Sequence, residues 1–95
     1  MKNKERNMTN EYLVSEESVK NLIDEIRYDF EVTRRPLVCG EVEILSSFAN
    51  YAIDCCYRLY GMLGSLQALN LGDYLEIESF RAEIFQTIEK LFEYR

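Results

Sequence analysis

The side chains best equipped for chemistry are three thiols, Cys39, Cys55 and Cys56, because the chain contains no histidine. A catalytic thiol needs a neighbouring base or cation to hold its thiolate, and the most versatile base, imidazole, is missing. The cysteines lack the Cys-x-x-Cys spacing that closes round zinc, so no metal site is expected within one chain. Cys55 and Cys56 are adjacent, and on a helix they would point about 100° apart, which does not suit a disulfide. An odd number of thiols behind a start, MKNKERNMTNEY, that lacks the apolar run of a signal peptide predicts reduced cysteines and a cytoplasmic protein.

Carboxylates offer little more. Glu76 and Glu83 share one side of a helical stretch, and Glu16, Asp24 and Glu31 form a similar row. Such rows bind metals when they face inward. Here each coincides with a polar face, and solvated acids explain it. No glycine-rich phosphate loop, HExxH pair, nucleophile motif or internal repeat is present. The sequence therefore assigns no catalytic residue, no cofactor and no metal, and the chain reads as a non-enzyme.

The elements that would position any functional group can be read from the periodicity. At 95 residues and 11.3 kDa the chain fits one domain. Residues 1–14 are polar, carry Lys2, Lys4 and Arg6 without an apolar period, and are expected to form a flexible arm ahead of a single helical domain over 15–95. Ser15, followed by Glu16 and Glu17, has the chemistry of a helix N-cap. Val19, Leu22, Ile23, Ile26 and Phe30 then recur at steps of three and four, predicting a helix from about 15 to 33. Pro36 is expected to break it, and Gly40 to supply a turn.

From Val42 through Leu45, Ala49, Ala52, Cys56, Leu59 and Leu63 to Leu66 the steps alternate three and four, predicting a long central helix of up to about 30 residues. Between Glu43 and Asp73 the only charges are Asp54 and Arg58, four apart and able to bridge along the helix. Gly61 and Gly64, with Ser65 and Ala68, make a small-residue patch that would let another helix backbone come close or, alternatively, mark a kink or break at Gly61. Gly72 and the Asp73/Glu76 capping box then predict a tight antiparallel return into a third helix over about 74–93. The fold class expected is all-α, a three-helix bundle with a long central helix. The overhang of that helix, bearing Val42, Leu45, Phe48, Ala49 and Ala52, predicts a homodimer or a captured partner helix.

Function follows from composition more than from motif. Eleven basic against 17 acidic residues give a net charge of -6, which disfavours non-specific binding to nucleic acid or anionic lipid and suits a basic protein partner as well as plain solubility. No run of about 20 apolar residues could span a bilayer. Seven tyrosines give contact area with a polar tip at low entropic cost. The expectation is a small self-associating regulatory inhibitor or adaptor that binds another protein. Its expected partner-binding residues are Arg34, Arg35, Val42, Leu45, Phe48, Tyr51, Tyr57 and Tyr60. Two alternatives stand beside it: an acidic mimic of nucleic acid that blocks a basic site on another protein, and a dimer that touches phosphate through the basic arm and Arg34–Arg35.

Overall fold

The computed structural model describes residues 15–40 and 42–95. The stretch read from sequence as an N-terminal arm, residues 1–14, lies outside the described residues. Three helices account for nearly all the rest: α1 over Glu16–Cys39, α2 over Ser46–Ala68 and α3 over Tyr74–Phe92. The fold is all-α, a three-helix bundle, with no strand among the described residues. No described helix is long and apolar enough to cross a membrane.

The first and third helices start where their chemistry says they should, whereas α2 starts after Leu45 without a side-chain cap. The Ser15 hydroxyl accepts from the Ser18 backbone N–H at 3.0 Å, and Asp73 Oδ1 accepts from the Glu76 N–H at the same distance. Both satisfy donors that a helix start leaves unpaired. Gly72 ends the α2–α3 turn at φ 78°, and a Cβ there would come within 3.0 Å of Ile77 Cδ1, so the left-handed backbone and the close packing both require glycine.

Two boundaries differ from the sequence expectation. α1 continues through Pro36 to Cys39, where Gly40 caps it at φ 70°. Proline removes its own N–H and its ring crowds the carbonyl one turn back, but in the last turn few helical bonds lie beyond it. Leu37, next in sequence, packs half-buried against the core, which favours carrying the helix past the proline. α2 begins at Ser46, not near Val42, because residues 42–45 form the extended approach to the helix. The helices are thus 24, 23 and 19 residues long, and the overhang inferred for the central helix is absent. Ala49 and Ala52, expected to be bare in a monomer, are fully buried within one chain. α2 also runs unbroken through Gly61 and Gly64.

α2 and α3 form the antiparallel hairpin that the short turn dictates, and they are the most closely packed pair. α1 starts beside their turn, where Val19 and Ile23 share a cavity with Leu71 and Gly72. It ends beside the later turns of α3, near Thr87 and Lys90. The bundle is therefore up, down, up. Its core stacks Ile26 and Phe30 of α1 on Leu59 and Leu63 of α2 and on Phe80 and Ile84 of α3. Phe30 meets Phe80 edge-on at 5.8 Å between ring centroids, the arrangement that aromatic quadrupoles favour.

Candidate interaction surface

The polar and charged residues divide unequally among the three helices, and that division defines the surface of interest. On the α1–α3 seam, cations and anions are interleaved. Arg27 reaches Glu83 at 3.0 Å and Glu31 at 3.5 Å, while Arg34 reaches Glu31 at 2.8 Å and Glu83 at 3.1 Å. The same two guanidinium groups lie over Phe80 and Phe30, at 3.7 and 4.6 Å from the ring centroids. Arg34 therefore serves as a half-buried strut between α1 and α3. Of the expected basic pair, only Arg35 projects into solvent.

The α2–α3 seam is held differently. Arg81 donates from Nε to the Tyr60 carbonyl oxygen at 3.2 Å and from Nη1 to Gln67 Oε1 at 3.0 Å, and its guanidinium lies 3.9 Å from the centre of the Tyr60 ring. Gln67 passes the chain on by donating from Nε2 to Glu78 at 2.9 Å. A Cβ on Gly64 would stand 2.9 Å from Arg81 Nη2. The close neighbour that Gly64 admits is thus a guanidinium lying on the helix, where a second helix backbone had been expected.

The outer face of α2 is of another character. Ser47, Asn50, Tyr51, Asp54, Tyr57, Arg58, Gly61, Met62 and Ser65 are all exposed there. Asp54 and Arg58 are the only charges on the helix, whereas α1 and α3 carry acids and bases along their exposed sides. The expected Asp54–Arg58 bridge is not made, and neither residue has an ion pair among the described residues. Arg58 instead points Nη2 at Cys55 Sγ, 3.7 Å away. Nothing lies within 4 Å of a Cβ built on Gly61, so this glycine has no packing role inside the chain. A helix interior without such a role favours alanine by about 1 kcal/mol.

Aromatic and apolar side chains border this face on both sides. Toward α1 a groove of about 300 Å³ is lined by Tyr28, Val32, Tyr51, Cys55 and Arg58. Tyr51 is 64% exposed, and its interaction with Cys55, hydrogen bonding first and charge second, raises its pKa above the ordinary value. It therefore stays a neutral phenol, able both to donate and to accept. Toward α3, Tyr57 stands beside the Tyr60–Phe85 pair, whose ring centroids are 6.1 Å apart.

Among the remaining residues singled out from sequence, Tyr51 and Tyr57 flank the α2 face and Tyr60 sits at its α3 edge. Phe48 is half-buried against the core. Val42 and Leu45 are exposed in the approach to α2, off the end of this face. Sequence reasoning did not select Asn50 or Met62 as contact residues, and it noted Gly61 and Ser65 only as part of a small-residue patch. Their signal was present in the scarcity of charge between Glu43 and Asp73, but a position on the outer face is fixed only once the inward face is known. Of the thiols, Cys39 is exposed while Cys55 and Cys56 are buried, and burial pushes the Cys56 pKa up to about 11. A neutral, enclosed thiol is a small hydrophobe, with no nucleophilic use. No cluster of three or more Cys, Asp or Glu that could hold a metal ion occurs among the described residues.

No protein-family model, curated protein or solved structure matches the chain.

Proposed function

We propose that the protein is a non-enzymatic interaction module, a self-associating regulator of the inhibitor or adaptor kind, whose contact surface is the outer face of α2. The observation that carries this reading is the exposure of a helix face with two charges only, Asp54 and Arg58, framed by Tyr51, Tyr57 and Met62, whereas α1 and α3 mix their exposed apolar side chains with many acids and bases. Interface centres are poor in Lys, Glu and Asp and rich in Tyr and Met, and this face has that composition. Three unpaired cysteines suit a reducing compartment such as the cytoplasm.

Nucleic-acid mimicry gains no support from the seam charges, because Glu31 and Glu83 are neutralised by Arg27 and Arg34 where phosphate-like spacing would be needed. The same pairing occupies Arg34, one of the two folded-region cations on which phosphate contact would rely.

The test is a photo-crosslinking amino acid placed, one site at a time, at Asn50 or Ser65 and, as controls, at Ser79 or Gln86 of α3. In cells, adducts of higher mass are expected from the α2 sites and not from the α3 sites. Adducts from the α3 sites alone, or from none, contradict the reading.

A further inference from the structure

We infer that the occupant of the α2 outer face is a second copy of this chain, with the two α2 helices antiparallel about a two-fold axis level with residue 56. This rests on the reading of that face as the contact surface and names its partner. The argument is one of self-complementarity. Two-fold symmetry across antiparallel helices sets each residue before the axis against the residue equally far after it. Asp54 and Arg58 lie two positions on either side of Cys56, so this register pairs Asp54 of each copy with Arg58 of the other. Both are exposed and without ion pairs among the described residues, so the pairing breaks no salt bridge within the chain and competes only with the weak bond from Arg58 Nη2 to Cys55 Sγ. Moving the axis to Asp54 or to Arg58 would set like charges against each other, which an interface rejects.

Shape agrees with charge in the same register. Arg58, Gly61, Met62 and Ser65 stand at helical spacings of three, four and seven, the four corners of a hole that receives a side chain from a facing helix. The residue that the two-fold brings to this hole is Tyr51 of the second copy. Gly61 leaves the room, since nothing in its own chain lies within 4 Å of its absent Cβ. Arg58 can lie against the incoming ring, and Met62 packs on its edge. At the ends, Ser47 faces Ser65, both exposed, small and able to hydrogen-bond. The glycine that has no structural role within the monomer and the two unpaired charges thus acquire a use together.

A contact of one helix face per copy lies at the small end of specific interfaces, on the order of 1,200 Å² in total, so the equilibrium is expected in the micromolar range. Light scattering after size exclusion, from about 1 mM to about 1 μM, should follow the full chain from twice 11.3 kDa to 11.3 kDa. Asp54→Arg and Arg58→Asp, each alone, should raise the dissociation constant at least about tenfold, and the double exchange should restore it because the pair re-forms with reversed sign. Gly61→Leu should abolish dimers while leaving the helical circular dichroism intact, since no neighbouring atom lies within 4 Å of the new Cβ in its own chain. A wild-type monomer throughout the range overturns the proposal, as does a dimer indifferent to the single exchanges or one not recovered by the double exchange. If the wild type stays monomeric while the α2 crosslinks still form in cells, the face takes another protein: the present inference and self-association fail, while the reading of this face as the contact surface stands.

Discussion

At the scale of single residues, the side chains that looked most reactive in the sequence turn out to be among the most ordinary. Cys56 is fully enclosed by the core. Desolvation, with a smaller contribution from the charge of Cys55, lifts its pKa from the usual value near 9 to about 11. The sign of the consequence is fixed. The unfolded thiol ionises near pH 9 while the folded one stays neutral, so the stability that the neutral thiol confers is whole below pH 9 and is lost as the pH rises toward 11. Urea unfolding at pH 8 and pH 10.5 should therefore show a larger loss for the wild type than for Cys56→Ala. Parallel losses would show that burial does not govern this thiol. Periodicity alone placed Cys56 inside, because it falls on the apolar stripe of α2. It could not place Arg81 or Arg34, whose long stems reach across seams to lie on Tyr60 and Phe30.

At the scale of the elements, local chemistry and tertiary packing disagree at a few points, and those points mark what was legible in advance. The caps at Ser15 and Asp73, the left-handed Gly72, and the inward positions of Val19, Ile26, Ile77, Ile84 and Leu91 were all readable, because each depends on neighbours within one turn. The end of α1 was not readable. There the rule that proline stops a helix yields to the packing of Leu37, a contact with residues far away in sequence. The start of α2 was misread for a related reason. Val42 and Leu45 extend the apolar period, yet the chain spends them on the approach between helices. The two glycines of α2 separate local from tertiary effects directly. In an Asp54→Arg background, chosen to keep the chain monomeric, Gly61→Ala should raise the unfolding free energy by about 1 kcal/mol through helix propensity alone. Gly64→Ala should gain little or nothing, because its methyl would displace the Arg81 guanidinium from Gln67 and the Tyr60 carbonyl. Equal gains at both positions would mean that Arg81 does not anchor the α2–α3 seam.

At the scale of the whole molecule, the bundle has two kinds of outside. One kind, on α1 and α3, carries acids and bases, and Arg27 and Arg34 tie its seam together through Glu31 and Glu83. The other, on α2, is quiet in charge and rich in tyrosine. A three-helix bundle gains nothing for its own stability from leaving Tyr51, Tyr57 and Met62 in water beside an open glycine. With α2 no longer than α1, the overhang is no reason for association, so the case for a partner now stands on the composition of this face. The most direct measurement is oxidative footprinting of side chains in cells, compared with dilute purified protein. The account predicts that Tyr51, Tyr57 and Met62 are protected in cells while Tyr74, exposed at the start of α3, is oxidised to the same extent in both. Equal oxidation of the α2 side chains in cells and in dilute solution would contradict it, for the face would then be bare in the working protein.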